Sequence, residues 1–350
     1  MAENLSQSEL DYPFKLLEYI HGFRVSKAIF AACELGIFDL LATSPCALSA
    51  QQVAQALGIS TDGTERLLNA LVGIEILQVE TQAEHKPVLY SSTDVAGVYL
   101  AKGGAKSLHN MAIYQSQTTY PLWNHLADAV REGKNQNEKV FGIPPEEIFQ
   151  AIYRSEEDML KFMGLMDCVW SLDGHDAVTA IDLAGFRNIV DLGGCTGALA
   201  RHLTKAYPGS SVVVFDMPVV VEMAKKHFLR ESDTFTFHSG DFFQNELPVG
   251  DLYILTRILH DWSDDKCLTL LKKIHDVCKP GGGVLLVEAL LLENRRGPLQ
   301  TQLFSLNMLM QTEGREHPPS EYTGMLRQSG FGDVQVCRTG KTYDVILALK

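Results

Sequence analysis

Beyond residue 185 the chain changes its period. Short apolar runs at 188–192, 211–215, 234–238, 252–255, 284–287, 333–337 and 343–347 alternate with helical patterns, among them 198–207, 219–228 and 264–278. Strands spaced by helices admit few folds. A parallel pair needs a crossover long enough to hold a helix, and repeating that unit gives a doubly wound α/β sheet of the Rossmann-like kind. The last two runs have only a short connection between them, which predicts an antiparallel hairpin at the sheet's end.

The first hundred residues read differently. Leu16, Ile20 and Phe23 share one helical face, and Ala28, Ile29, Ala31 and Ala32 continue it. Ser49 and Gln52 have the spacing of a capping box, opening a helix through Val53 and Leu57. After Gly58 a second helix runs through Leu67, Leu68, Leu71 and Val72, and two short apolar runs, 76–79 and 88–90, follow across a polar link. Helix, turn, helix, hairpin is the winged-helix order. A DNA-reading helix should carry Arg and Lys, but TDGTERLLNALVG offers Arg66 against Asp62 and Glu65. With a net charge of −13 over the chain, the module reads as a protein–protein surface, and neither nucleic acid nor an anionic membrane is an expected partner. Residues 110–180 form a mostly helical bridge. The expected organisation is a winged-helix-like dimerisation domain at 1–105 and a Rossmann-like domain at 106–350, whose bridge spans 106–182.

Composition adds the compartment. Apolar residues make up 46% and charged residues 21%, as in soluble globular chains. No apolar run approaches the roughly 18 residues of a membrane span, and MAENLSQSELDYPF lacks a basic region followed by an apolar one, so no secretory signal is read there. The seven cysteines form no CxxC pair. They read as reduced thiols of a cytoplasmic protein, with no zinc site.

The strongest local signal is NIVDLGGCTGALA, an apolar strand running through Asp191 into a turn with Gly193, Gly194 and Gly197. Glycine lets a ligand approach backbone closely and accepts positive φ. A dinucleotide turn wants G-x-G-x-x-G, but position 192 is Leu. Asp191 would also repel a pyrophosphate, whereas it suits the amino group or sulfonium of S-adenosylmethionine. A turn serving only helix–strand packing is the plain alternative. The second strand ends in Asp216, placed to accept from ribose hydroxyls. The third ends in SGDFF, where Asp241 can accept from an adenine amino group and Phe242 can stack on its ring. Taken alone, these two read as a turn residue and a core residue.

Strand four, DLYILTRILHDW, places His260 and Asp261 at the ligand edge of the sheet. His-Asp recurs at 175–176 and 275–276, so the dipeptide alone carries little; position separates His260 from the others. A phenol titrates near 10 and an imidazole near 6.5, so complete proton transfer costs roughly 5 kcal/mol. Attack on a sulfonium offsets that cost, and general-base assistance then suffices without a metal. A carboxylate should fix the imidazole's tautomer; Glu288, closing VLLVE, and Glu316 are both candidates.

Taken in order, DLGGCTG, FDMP, SGDFF, RILHDWSDDKC, KPGGGVLLVEALL and EGREHPP resemble the plant and animal small-molecule O-methyltransferases of the caffeate and hydroxyindole type. The resemblance covers essentially the whole chain, with AACELGIFDLL and IFQAIYRSEEDMLKFM closest to the hydroxyindole branch. It implies a homodimer formed through the N-terminal domain. It also implies in-line methyl transfer from S-adenosylmethionine, giving S-adenosylhomocysteine, to the 5-hydroxyl of N-acetylserotonin, the step that forms melatonin. Carried over residue by residue, it makes His260 the general base, flanked by Glu288 and Glu316. It assigns cofactor contacts to Tyr153, Trp170, Gly193, Asp216, Gly240, Asp241, Phe242 and Arg257, and substrate contacts to Asp261, Asn307 and Gln311. Asn307 and Gln311 are four apart, so they share a helix face. Cys195 departs from the plant pattern, which has glycine there. The same chemistry on another hydroxyindole or small phenol remains an alternative. A dehydrogenase and a non-enzymatic winged-helix regulator are the rivals of other classes.

Overall fold

A computed structural model describes residues 10–80 and 87–350. Residues 1–9 and 81–86, which hold most of the N-terminal segment and of the hairpin link considered above, lie outside the described residues. The chain forms two compact units that divide between Thr118 and Thr119.

The first unit begins with helices α1 (Phe14–Leu35) and α2 (Ile37–Thr43), separated by Gly36 in the left-handed region at φ 76°. After the short strand β1 (Leu48–Ser49), Ser49 caps α3 (Ala50–Leu57) through the expected capping box. Helix α4 (Thr61–Gly73) and strands β2 (Leu77–Glu80) and β3 (Leu89–Ser92) follow, and the sheet order is β1-β3-β2. Val53, Leu68 and Leu71 are fully buried and meet Ala32, Ile37 and Phe38 in one core. Arg66 pairs with Asp62 at 3.1 Å. The apolar face of α1 is split: Ala32 and Cys33 enter the core, while Leu16, Ile20 and Phe23 remain 51–56% exposed. Helices α5 (Asp94–Tyr99) and α6 (His109–Tyr114) complete this unit.

The second unit opens with α7 (Tyr120–Trp123), α8 (Leu126–Glu132), α9 (Asn137–Phe141), α10 (Ile148–Ile152) and the long α11 (Glu156–Thr179). The alternating region then yields β4 (Asn188–Leu192), α12 (Ala198–Ala206), β5 (Ser211–Asp216), α13 (Pro218–His227), β6 (Thr236–Ser239), β7 (Leu252–Thr256), α14 (Asp264–Val277) and β8 (Gly283–Glu288). Helices α15 (Leu299–Gln311) and α16 (Pro319–Gln328) and strands β9 (Gly332–Cys337) and β10 (Asp344–Leu349) end the chain. The sheet order is β6-β5-β4-β7-β8-β10-β9. Strands β4 to β8 pair in parallel, and β10 is antiparallel to both β8 and β9.

Strands β7 and β8 are buried at every position. Helices cover both faces of such strands, which explains why they read as unbroken apolar runs. Polar residues at strand ends also pair: Asp216 of β5 opposes Ser239 of β6, and Glu288 of β8 opposes Asp344 of β10. Strands β5 to β8 thus run one residue past the apolar segments seen in the sequence and β10 two, while β4 and β9 end where those segments do. The chain reverses its winding between β4 and β7, and a crevice at the carboxyl ends of these strands is where open α/β sheets bind ligands. Among the described residues no helix is long and apolar enough to cross a membrane.

Candidate active site

The turn after β4 needs its glycines. Gly193 and Gly197 have φ of 71° and 75°, and a Cβ on Gly193 would lie 2.5 Å from Ile258 Cδ1. Cys195 also sits in the left-handed region, at φ 52°. A side chain there costs roughly 1–2 kcal/mol. The Cys195 N–H donates to Asp216 Oδ2 at 2.8 Å, and the Met217 N–H donates to Oδ1 at 2.7 Å. Asp216 therefore ties the glycine turn to the end of β5 while each oxygen keeps a further lone pair. Asp191 is fully buried, and neither carboxyl oxygen has a hydrogen-bond partner among the described residues. Burial, followed by the Asp216 charge, pushes Asp191 up to about 7. Burial pushes Asp216 up to about 6 against the two N–H donors. Two buried acids with no cationic side chain acting on either among the described residues form a place for a positively charged ligand.

Gly240 ends the next strand, packed so closely on Phe215 that a Cβ would lie 2.5 Å from the ring. Asp241 Oδ1 accepts from the Phe243 N–H at 2.8 Å, a turn bond. Phe242 packs 4.9 Å from the Phe243 ring and edge-on to Trp262, and its ring lies 3.7 Å from where a Gly193 Cβ would stand. Tyr153 belongs to the same aromatic group: Phe149 lies 5.7 Å from its ring and 5.5 Å from Trp262. Trp170, buried on α11, lies 5.2 Å from Tyr343. Arg257, at φ 55°, holds its guanidinium 5.7 Å from the Tyr343 ring centroid.

His260 follows β7 in a single turn of 3₁₀ helix, Leu259–Asp261. The sequence left open which carboxylate orients it, and the structure divides that work. Glu316 Oε1 lies 2.8 Å from His260 Nδ1. A carboxylate only accepts, so Nδ1 carries the proton and Nε2 is left as the basic nitrogen. Glu288 instead accepts from the Ile258 and Leu259 N–H groups at 3.1 and 3.0 Å, holding the turn, with its other oxygen 3.8 Å from Nδ1. Asp261 Oδ1 stands 3.6 Å from Nε2, beyond hydrogen-bond reach. Burial alone would lower the imidazole's pKa, but Glu316, Glu288 and Asp261 together raise it to about 9. Atoms of His260, Glu288 and Glu316 lie within 4.8 Å of one another, a group that can also hold a metal ion.

Glu316 reaches the ring because Gly314 lets its segment lie against the His260 backbone. A Cβ on Gly314 would fall on the His260 carbonyl oxygen and 2.7 Å from Trp262 N. Neither atom can swing away. Gly314→Ala is therefore expected to lower stability by about 1–3 kcal/mol and to reduce kcat by moving Glu316. Thermal unfolding and steady-state turnover check this, and a variant unchanged in both would contradict it.

Upstream of Gly314, α15 presents Asn307, half-buried, and Gln311, buried, on one face. Gln311 Nε2 donates to Asn307 Oδ1 at 3.1 Å, and Trp123 Nε1 donates to the same oxygen at 2.9 Å. Trp123 and Tyr343 carry no sequence signal for this neighbourhood. Trp123 stands 184 residues from its partner, and Tyr343 reads as the start of an ordinary strand.

Residues 123–332 match the O-methyltransferase domain, and residues 17–102 match the O-methyltransferase dimerisation domain. The chain belongs to the O-methyltransferase family. It is 49% identical over 346 residues to acetylserotonin O-methyltransferase of Gallus gallus, covering 99% of each chain. To the enzyme of that name from Homo sapiens it is 49% identical, over 98% of this chain and 99% of the other. The crystal structure of human N-acetylserotonin methyltransferase in complex with SAM superposes with a TM-score of 0.94 at 48% identity, over 100% of this chain and 99% of that one.

Proposed function

We propose that this chain transfers the methyl group of S-adenosylmethionine to the 5-hydroxyl of N-acetylserotonin, forming melatonin, as a cytoplasmic homodimer. The observation that carries the reading is the His260 imidazole, fixed through Nδ1 by Glu316 at the rim where the buried Asp191 carboxyl has no hydrogen-bond partner among the described residues and Asp216 lies buried beside it. The names of the vertebrate relatives support the substrate, and the SAM complex of the human structure supports the donor. Ile20 and Phe23, exposed apolar residues of α1 within the span matching the dimerisation domain, support a second copy as partner.

When bound, the donor supplies an electrophilic methyl group on a sulfonium. Asp216 would accept from its ribose hydroxyls, Asp191 would offset its positive charge, and the glycine turn would admit it without side-chain obstruction. Asp241 and Phe242 would take the adenine, with Tyr153, Trp170, Gly240 and Arg257 completing the surround. Asp261, Asn307 and Gln311 would hold the aromatic substrate. His260 Nε2 would accept the proton of the 5-hydroxyl as that oxygen bonds to the methyl carbon, while the carbon–sulfur bond breaks and its electron pair leaves with S-adenosylhomocysteine. Glu316 stabilises the resulting imidazolium, and Glu288 keeps the turn in place. Positioning and general-base assistance together carry the rate.

The pH dependence follows from the buried groups. Asp191 and Asp216 attract a cation only when ionised, so donor affinity should weaken as pH falls through about 7 and 6, where burial makes them take up protons. His260 works only when neutral, and its neighbours raise its pKa to about 9, so turnover should climb with pH above neutrality. Calorimetric donor Kd and kcat measured from pH 6 to 9 check both limbs; two flat profiles would contradict the assignments. The function itself is tested with labelled S-adenosylmethionine over hydroxyindoles, catechols and simple phenols. Label should enter N-acetylserotonin without added Mg²⁺ and in the presence of a chelator. Activity lost with chelator and restored by metal would assign the His260–Glu288–Glu316 group to a metal instead.

A further inference from the structure

We infer that Trp123 sets the hydrogen-bond polarity of the substrate pocket, so that the pocket reads a secondary amide on the aromatic substrate and discriminates against the corresponding free amine. The inference rests on the substrate reading above and deepens it.

The indole Nε1–H of tryptophan donates and cannot accept. The Asn307 atom 2.9 Å from it must therefore be the carbonyl oxygen, which fixes an amide orientation that geometry alone leaves open. The Gln311 atom 3.1 Å from that same oxygen must in turn be a donor, its Nε2. One indole thus orients two amides in succession. What remains for a ligand is the Asn307 Nδ2 group, which donates, and Gln311 Oε1, which accepts. Neither atom has a hydrogen-bond partner among the described residues.

A donor beside an acceptor is the complement of a secondary amide, whose carbonyl oxygen accepts and whose N–H donates. A protonated amine offers donors only and leaves Asn307 Nδ2 facing a positive charge. Leaving a polar group of the site unpaired is what lets an enzyme reject an analogue strongly. The frame is also held in place. Trp123 ends α7, while the Gln136 N–H donates to Met310 O at 3.1 Å and Asn137 Nδ2 donates to Gln311 O at 3.0 Å, pinning the end of α15 from its other side. The same segment continues into Gly314 and Glu316, so the pair is positioned with respect to His260.

Trp123→Phe keeps a ring and removes the donor. In the full-length protein at saturating S-adenosylmethionine, KM for N-acetylserotonin should rise about five- to ten-fold with kcat nearly unchanged. The kcat/KM for serotonin should stay level, so the preference for the amide falls by the same factor. Kd for S-adenosylhomocysteine should not move. Asn307→Asp keeps the indole's acceptor but replaces the remaining donor by a carboxylate, and it should turn the preference toward the amine. Equal losses on both indoles in Trp123→Phe, or unchanged amide preference in either variant, would overturn the inference. Wild-type protein that methylates both indoles equally would overturn it too while leaving the methyltransferase reading intact. Wild-type protein that methylates neither would refute the substrate reading itself, and the inference with it.

Discussion

Replacing His260 by alanine is expected to lower kcat by roughly 10²–10⁴-fold, the usual contribution of a positioned general base. The ring is buried at 3% exposure, and its Nδ1 is committed to Glu316. Nε2 is therefore the nitrogen of this ring left to take a phenolic proton. No second base stands ready, because Asp261 approaches no closer than 3.6 Å to Nε2 and Glu288 is occupied with the Ile258 and Leu259 N–H groups. Donor binding should survive, since the buried acids at the carboxyl ends of β4 and β5 do not depend on the imidazole. The stability effect has a definite sign. A pKa raised from 6.5 to about 9 means that His260 stabilises the fold fully below about pH 6.5 and loses that contribution as pH rises through 9. The variant should therefore be destabilised most at neutral and acidic pH, and urea unfolding at pH 6 and pH 9.5 separates this from the catalytic loss. Turnover close to wild type in a folded His260→Ala protein would remove His260 from the mechanism.

The second large effect is expected at Asp216. Its carboxylate is held by the Cys195 and Met217 N–H groups at 2.8 and 2.7 Å, so its remaining lone pairs are aimed rather than free to rotate. Charge-assisted hydrogen bonds contribute about 1.5–3 kcal/mol each, so losing two from a ribose should raise the donor Kd by roughly 10²-fold or more. Asp216→Ala also strands two N–H groups, and leaving buried donors unsatisfied costs about 1–3 kcal/mol each. Asp216→Asn isolates binding from folding better, because it preserves volume and one acceptor oxygen. In both variants kcat at saturating donor should fall far less than affinity does. An unchanged Kd in the asparagine variant would refute the ribose assignment.

The parts of this chain legible in its sequence are those whose physics is local. The glycine turn, the acid closing its strand and the capping box at Ser49 each show as a pattern within a few residues, although the Asp216 bond to Cys195 spans 21 residues. Position after the fourth strand singles out His260 from the histidines at 175 and 275. The division between Glu288 and Glu316 was not legible. Both acids follow or end apolar stretches, and only the fold brings residue 316 against the ring while turning residue 288 toward backbone N–H groups. The place of β10 inside the terminal hairpin, between β8 and β9, was likewise beyond local reading: a short connection predicts that two strands pair, not which of them meets the sheet. The face of α1 showed its apolar residues but not that Leu16, Ile20 and Phe23 stay exposed within the chain. Trp123 is the sharpest case, because its partner lies 184 residues on and nothing around either residue announces the bond.

The most direct measurement is a crystal structure of the protein with S-adenosylhomocysteine. Ribose hydroxyls are expected on Asp216, the amino group toward Asp191, and the sulfur directed toward His260 Nε2. A ligand bound away from the carboxyl ends of β4 and β5, or with its sulfur turned from His260, would contradict it.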